Sequence, residues 1–411
     1  MEHDVKNTIS PLLKGEAPDA PGLLSEITVG INDLADFISR KYFAEYISSG
    51  GSKIKFVTGK AGSGKTHFLK IISASAEKQG FVTVHFSAKD IWLHDFKEIY
   101  AEIFKQSELE KCLASCAKII VNELGYDYHS IPDTMSFADY LSSKGEFDAI
   151  VKREIRNQLR EMFLKNPLID NNFAIACSLL VGGMLGHPIL ESANSELLLL
   201  WLAGNKDIKL TALRNLGLSP AKITKYNARH MLRSLVEVQK LAKSPGIIIT
   251  IDNTDILLSS TSFDTIRYTK MKREDAYESI RELIDEIDTL SGVMFFFAFD
   301  RQLIDHELSG IKSYQALWLR VQNEIISGRF NKFTDIIDLD KFMAETFTKE
   351  ILLLLSGRVA DVLNSCLDGS AKRINDALAE KFLTEAGFTK TSLPRKVILA
   401  TVSGSGMEDE V

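Results

Sequence analysis

Hydrophobic residues along the chain follow two kinds of pattern. Short β-rich runs stand at "SKIKFVTG" (52–59), "GFVTVHFSA" (80–88), "GIIITID" (246–252), "GVMFFFAFD" (292–300) and "FTDIIDL" (333–339). Other segments carry apolar residues at helical spacing, as in "EDAYESIRELIDEIDTL" from Glu274, where one face collects Ala276, Ile280, Leu283, Ile284 and Ile287. Strands that alternate with helices predict an α/β fold with a parallel sheet.

The same patterns divide the chain into regions. From about residue 91 to 242 the signal is almost wholly helical, which is too long for an ordinary crossover between two strands. We therefore expect a helical insertion carried on an α/β core. The predicted boundaries are a leader at 1–50, a first βαβ unit at 51–90, the insertion at 91–244, the rest of the core at 245–340, and a C-terminal helical lid at 341–411.

Composition narrows the class of protein. The chain has 411 residues, 45% of them apolar, and a formal net charge of −6, which argues against a polybasic nucleic-acid coat and leaves only patchy DNA contact open. Its four cysteines form no disulfide framework. Cys112 and Cys116 lie one helical turn apart inside an apolar pattern, with no second pair at zinc spacing, so we expect buried thiols rather than a metal site. The first residues lack a signal pattern, and the apolar run from Phe173 is broken by glycines and a proline. A cytoplasmic protein without a membrane role is expected.

The clearest chemical motif is "GKAGSGKT", residues 59–66, which fits G-x-x-x-x-G-K-[ST] in full. It lies between a predicted strand and a predicted helix, the context that separates a phosphate loop from a chance glycine-rich turn. Main-chain amides of such a loop point at a triphosphate, the lysine reaches the β- and γ-phosphates, and the last hydroxyl binds Mg²⁺. We predict that ATP is bound by Gly59, Lys60, Ala61, Gly62, Ser63, Gly64, Lys65 and Thr66, with His67 at the border.

A second acid follows the strand "GIIITID". Asp252 is placed to hold Mg²⁺ together with Thr66, unless it is only a solvated strand end. The next residue, Asn253, can orient a water molecule but cannot accept its proton. Asp255, two residues on, either takes the role of catalytic base or caps a turn.

One stretch has a pattern that partly matches a DNA-binding motif. "LTALRNLGLSPAKITKYN" from Leu210 has helix, turn and helix signals that are typical of a helix-turn-helix with Lys222, Lys225 and Arg229 toward DNA. Its alanine-to-glycine spacing is off by one from that motif. The alternative is an ordinary part of the helical insertion.

At these residues the chain resembles the ATP-binding proteins of bacterial BREX-type phage-defence systems, a branch of P-loop ATPases close to the AAA+ and STAND types. The similarity runs over most of the chain and includes "ITVGINDL", "GKAGSGKTHFLKII", "LAKSPGIIITIDNTDIL" and "FAFDRQLIDHELSGIKSYQALWLR". Two departures stand out. The family more often has an aspartate-glutamate pair where this chain has Asp252 and Asn253, and a threonine-proline pair where it has Asp300 and Arg301.

The resemblance implies further roles. Val29 and Gly30 are expected against the adenine, and Asp300 or Arg301 in a sensor position facing the γ-phosphate. A charged pair at the carboxyl end of a central strand supports that placement, with a loop salt bridge as the alternative. Arg395, in "SLPRKVIL", is expected as a second sensor on the lid.

Two more arginines, Arg320 and Arg329, are candidates for fingers that reach the nucleotide of a neighbouring subunit in a homo-oligomer. Each has the alternative of an ordinary surface arginine.

The sequence therefore supports an AAA+-like ATPase that binds Mg-ATP, hydrolyses it slowly or with a partner, and drives other defence proteins such as a helicase or nuclease. The alternative is a nucleotide-gated interaction module without significant turnover. A small-molecule kinase is disfavoured, because no acceptor-binding signature accompanies the loop.

Overall fold

A computed structural model describes residues 9–258, 266–325, 330–366, 371–387 and 389–403. It contains a five-stranded parallel sheet in the order β2-β3-β4-β1-β5. The strands are β1 Ser52–Gly59, β2 Val82–Ser87, β3 Ile247–Asp252, β4 Val293–Asp300 and β5 Ile336–Asp338. The predicted α/β fold with a parallel sheet is confirmed. The strands of the first βαβ unit are not neighbours, since β3 and β4 lie between β1 and β2.

The centre of the sheet explains the two most apolar runs. All six residues of β3 are buried, and β4 is buried from Val293 to Phe299. Strands covered on both faces read as continuous apolar runs rather than alternating ones. In β4 the parallel register pairs Ser52 with Val293 and Gly59 with Asp300, so both strands end at the same edge. Side chains that follow β1, β3 and β4 are thereby brought together.

Helices cover both faces of the sheet. One face is packed by α2 Asn32–Phe37, which continues as a π-helix over Ile38–Ile47, and by α3 Lys65–Lys78. Helix α1 Pro21–Ile27 packs on α3 and on a C-terminal helix rather than on the sheet. A second helical group packs against the other face and shares one apolar core with it. Its members are α4 Phe96–Gln106, α5 Leu109–Glu123, α6 Phe137–Lys144, α7 Ala149–Leu159 with a π-helical end Arg160–Leu164, α8 Asn171–Leu185, α9 Ser192–Leu202, α10 Leu210–Arg214 and α11 Ala228–Leu241.

The remaining helices follow β3 and β4 or close the chain. They are α12 Lys270–Glu286, α13 Gln302–Asp305, α14 Gln315–Ile325, α15 Leu339–Thr346, α16 Lys349–Cys366, α17 Asp376–Glu385 and α18 Leu393–Ser403. Single 3₁₀ turns lie at Tyr128–Ser130, Thr254–Leu258, Ile287–Thr289 and Ile311–Ser313. Helices α16 to α18 share a separate apolar core with Ile9, Leu12 and Ile27, so the N-terminal residues pack on the C-terminal helices.

Three sequence expectations need correction. The strand expected at 333–339 is only β5, because Phe333 lies outside it with 66% of its surface exposed. In the expected C-terminal lid, the sequence pattern "AKRINDALAEKFLTEAG" predicts a helix from residue 371, but the helix begins at Asp376, capped by the side chain of Asn375. The long amphipathic helix α12 begins at Lys270, before the predicted Glu274.

The helix-turn-helix interpretation is wrong. After α10 no helix forms until Ala228, so Lys222 and Lys225 lie on irregular chain rather than on a recognition helix. Arg229 is turned inward and pairs with Glu282 and Glu286 of α12 at 2.5 and 2.8 Å. An arginine already engaged by two carboxylates is poorly placed to contact DNA phosphates.

The apolar run from Phe173 forms the buried helix α8. Within the described ranges, no helix is both long enough and apolar enough to cross a membrane. Cys112 and Cys116 are buried free thiols, and the described residues include no cluster of metal-ligating side chains built from histidine, cysteine and acids.

Candidate nucleotide-binding site

A cavity of about 550 Å³ opens at the carboxyl edge of the sheet. This is the edge where open parallel sheets bind ligands. Its walls come from three separate parts of the chain: the loop after β1, the turns after β2 to β4, and a cover made of N-terminal residues and C-terminal helices.

The loop between β1 and α3 has the geometry of an anion cradle. Gly62 and Gly64 have φ values of +78° and +84°, which favour glycine, and a Cβ built on Gly62 would lie 2.5 Å from Cβ of Arg395. The amides of Gly62, Gly64, Lys65 and Thr66 donate to no acceptor in the part of the chain that the structure describes. The hydroxyl of Ser63 is buried there without a partner. Unused donors at a helix N-terminus suit a polyphosphate.

Lys65 lies across this loop. Its ammonium donates to the carbonyl oxygens of Gly59 and Lys60, both at 3.1 Å, and pairs with the carboxylate of Asp300. The side chain is only 11% exposed. A cation is therefore fixed where the loop faces the end of β4.

Thr66 and Asp252 meet at the end of the loop. The Thr66 hydroxyl donates to Oδ2 of Asp252 at 2.5 Å, although the two residues are 186 positions apart. Asp252 is 4% exposed, and its other oxygen accepts the amide of Asn253 at 2.7 Å. A hydroxyl beside a carboxylate is an oxygen donor set that fits Mg²⁺.

Asn253 lines the cavity and also has a structural role at the ends of two strands. Its φ is +56°, a left-handed conformation that asparagine tolerates better than most residues. Its Nδ2 donates to Oγ of Ser87 at 3.1 Å and so joins the ends of β2 and β3.

Asp255 enters the site on the 3₁₀ turn that follows β3. Its Oδ1 accepts the amide of Asp300 at 3.1 Å, and both side chains line the cavity. Burial, and then the negative charge of Asp300, raise the pKa of Asp255 above its ordinary value. A carboxylate with a raised pKa is a better proton acceptor than an ordinary aspartate.

Asp300 and Arg301, the charged pair at the end of β4, point in different directions. Asp300 lines the cavity, whereas Arg301 turns away and pairs with Asp338 at 2.6 Å and with Asp305 at 3.3 Å. Of the two residues expected at the sensor position, the structure brings only Asp300 to the site. The loop salt bridge considered for this pair describes Arg301.

The wall away from the loop is largely apolar. Val29 lines the cavity, and Gly30 lies behind Val29 against Phe347. Gly30 has φ +78°, and a Cβ built on it would lie only 2.8 Å from the ring of Phe347.

His67 also lines the cavity, with Nε2 3.0 Å from Oγ1 of Thr28. Burial, helped by Lys70, lowers the pKa of His67 to about 4 and keeps the imidazole neutral.

The first half of the loop is tied to the C-terminal residues. Oδ2 of Asp340 accepts the amide of Lys60 at 2.6 Å, and Oδ1 accepts the Ser392 hydroxyl at 3.1 Å. The Ser392 amide donates to the Ala61 carbonyl at 3.1 Å, and the Lys60 ammonium donates to the Thr389 carbonyl at 3.1 Å. Gly59 and Lys60 therefore hold the loop in place from behind and do not line the cavity.

Of the expected arginines, Arg395 lies at the cavity. Its side chain packs on Gly62, and Nη2 donates to the Lys14 carbonyl at 3.2 Å. Arg320 lies elsewhere and pairs with Asp285 at 2.8 Å. Arg329 falls outside the described residues.

Sequence patterns missed three contributors: the N-terminal residues around Gly15, the anchor Asp340, and Lys89, which lines the cavity after β2. None of them stands in a recognisable motif. Only the position of Lys89 directly beyond a predicted strand could have marked it.

One family model matches residues 1–403 and is described as BREX system ATP-binding protein BrxC/D. No curated protein and no solved structure matches the chain. Since the match extends over almost the entire sequence, the chain belongs to this family of BREX system ATP-binding proteins, whose name supports ATP binding and a role in phage defence.

Proposed function

Starting from this membership, we propose that the protein is an AAA+-type P-loop ATPase that binds Mg-ATP and hydrolyses it slowly or when a partner stimulates it. The cycle drives defence proteins that act on foreign DNA, such as a helicase or nuclease. The contact of 2.5 Å between Thr66 and Asp252, beside four amides that have no acceptor among the described residues, is the observation that carries the proposal.

Binding follows from the donors of the loop. The phosphates accept the free amides of Gly62, Gly64, Lys65 and Thr66, and the dipole of α3 adds positive potential. The β- and γ-phosphates replace Asp300 as partners of Lys65. The adenosine lies between Val29 and the C-terminal helices, which then act as a lid, with Gly30 keeping room for Phe347.

Thr66 and Asp252 would hold the magnesium ion, which offsets negative charge on the transferred phosphoryl group. Asp252 keeps its position because its second oxygen is bound to the amide of Asn253. The role of Arg395 is to contact the phosphates from the lid side, where it packs on Gly62.

Hydrolysis depends on Asp255. Asn253 cannot accept a proton, and its amide group is held by Ser87. Asp255 lines the same cavity, and its raised pKa suits proton transfer from an attacking water molecule. Asp300 and the negative phosphates also favour the protonated form of Asp255, so the carboxylate is ionised and able to accept a proton in a smaller fraction of the molecules. Slow turnover is expected for that reason.

The second candidate is a nucleotide-gated interaction module without turnover. The engagement of Asn253 with Ser87 favours it, because the usual position of the base then serves only to join two strands. ATP would order the loop and the C-terminal helices, and the ordered surface would bind partners.

A phosphate-release assay with Mg-ATP separates the two candidates. Wild-type protein, Lys65→Ala and Asp255→Asn are compared with and without double-stranded DNA. The ATPase predicts measurable release that both substitutions abolish. Release that survives Asp255→Asn would overturn the base assignment. No release from the wild type under any condition, with ATP still bound, would favour the gated module.

Size-exclusion chromatography with and without ATP tests the homo-oligomer. An ATP-dependent shift to larger particles would give Arg320 or Arg329 a neighbouring nucleotide to reach.

A further inference from the structure

We propose that Lys89 contacts the γ-phosphate of bound ATP and supplies, from the same subunit, a positive charge that distinguishes ATP from ADP. This inference rests on the proposed function, because it requires that a triphosphate occupies the cavity.

The main chain places Lys89 beside the reacting end of the site. Strand β2 runs parallel to β3 with Ser87 opposite Asp252, and the Ala88 amide donates to the Asp252 carbonyl at 2.8 Å. Oγ of Ser87 then accepts two donors, the amide of Lys89 and Nδ2 of Asn253, both at 3.1 Å. Lys89 is therefore fixed directly beyond the sheet, next to the turn that carries Asp252 and Asn253.

Four cationic side chains of the described residues line the cavity, and three of them have partners. Lys65 pairs with Asp300, Lys70 pairs with Asp19 at 2.7 Å, and Arg395 donates to the Lys14 carbonyl. Lys89 is exposed, and within the described ranges its ammonium makes no ion pair and no hydrogen bond. Among the described cations of the cavity, Lys89 can therefore move to a ligand without giving up a protein partner.

The negative charges of the site favour an additional ammonium group there. Asp252, Asp255 and Asp300 line the cavity together, and among these three acids Lys65 forms a direct ion pair with Asp300. A magnesium triphosphate brings further negative charge to the same place. Like charges this close together repel each other, so a free ammonium gains most where the γ-phosphate lies.

The position of Lys89 also explains what the asparagine does. An asparagine at 253 donates to Ser87, which in turn accepts the amide of Lys89. Asn253 thus helps to fix the backbone that presents the cation. The alternative is a solvated surface lysine without a ligand.

Isothermal titration of the full-length protein with Mg-ATP and with Mg-ADP tests the proposal. The variants are Lys89→Ala, Lys89→Arg and, as a control, Lys105→Ala, which removes a lysine that is 75% exposed on α4. Lys89→Ala is expected to weaken ATP binding about tenfold and to leave ADP binding within about twofold, since one charge-assisted contact is lost. Lys89→Arg should restore most of the preference for ATP, and Lys105→Ala should change neither affinity.

An unchanged ratio of ATP to ADP affinity in Lys89→Ala, with the wild type binding both nucleotides, would overturn this inference and leave the proposed function intact. Equal weakening of both nucleotides would also overturn it, because the effect would then be general. A wild type that binds neither nucleotide would overturn the proposed function, and this inference with it.

Discussion

The loop after β1 and the turn after β3 meet at Thr66 and Asp252, yet they use their polar groups differently. The amides of Gly62 and Gly64 in the loop have no acceptor in the described part of the chain and are thus available for a ligand. The turn engages Asn253 with Ser87, and the acid that remains, Asp255, is bound to the amide of Asp300. The donors that suit a nucleotide are therefore already in place, whereas the proposed proton transfer would depend on a single carboxylate, that of Asp255.

The strongest test of this contrast is to disable each region separately and measure affinity rather than turnover. Lys65→Ala should weaken the binding of Mg-ATP about 100-fold, because contacts to the β- and γ-phosphates both disappear, and that of Mg-ADP about tenfold, because only the β-phosphate contact is lost. Asp255→Asn should leave both affinities within about twofold, since an amide oxygen can still accept the Asp300 amide. Isothermal titration measures both, and a loss of affinity in Asp255→Asn would show that the two regions do not act separately.

The pH dependence of turnover sharpens the comparison. Asp255 must be ionised to accept a proton, and burial together with Asp300 raises its pKa. Turnover at saturating ATP should therefore fall about tenfold per pH unit below that raised pKa, which lies above the ordinary aspartate value. ATP affinity, measured over the same range, should lack this acid limb. A profile that stays flat down to the usual aspartate pKa would remove Asp255 from the role of base.

The anchor behind the loop should matter for binding alone. Asp340→Ala removes the acceptor of the Lys60 amide and of the Ser392 hydroxyl, so ATP and ADP should each bind about fivefold more weakly. Asp340→Asn keeps an oxygen acceptor and should lose less. Asp361→Ala, which removes an exposed partner of Arg373, is the matched control. If Asp340→Ala binds as the wild type does, the anchor does not shape the loop.

The smallest expected effect concerns the backbone at Asn253. Asn253→Gly and Asn253→Ala both lose the bond to Ser87, but only alanine is strained at φ +56°. The alanine variant should be less stable than the glycine variant by about 1 kcal/mol in urea unfolding. Asn253→Gly should keep its turnover, since the side chain does not act as the base. If the folded glycine variant had no turnover, Asn253 would have a role in catalysis after all.

The parts of this site that the sequence predicts are the local ones. The glycines and the lysine of "GKAGSGKT" lie within eight consecutive residues, and the acids after β3 and β4 follow apolar runs that are visible as such. Their convergence follows from the rule that parallel strands end at a common edge, and the Thr66–Asp252 contact agrees with it.

The parts that escaped prediction depend on distant pairings. No local pattern reveals that β4 lies between β1 and β3, that Arg301 has Asp338 as a closer partner than any ligand, or that Asp340 caps the loop from behind. Each of these features is a contact between parts of the chain that lie far apart in the sequence. The helix-turn-helix expectation failed similarly, because α12 supplies two carboxylates for Arg229.

The tie between the loop and the C-terminal residues has a consequence for synthesis. Lys60 and Thr389 are 329 residues apart, so the ribosome releases the octapeptide long before the partners that brace it. A nascent or truncated chain that stops short of Thr389 carries the full nucleotide motif without those restraints. Such a chain would contain the complete motif, but its affinity for nucleotide would be lower.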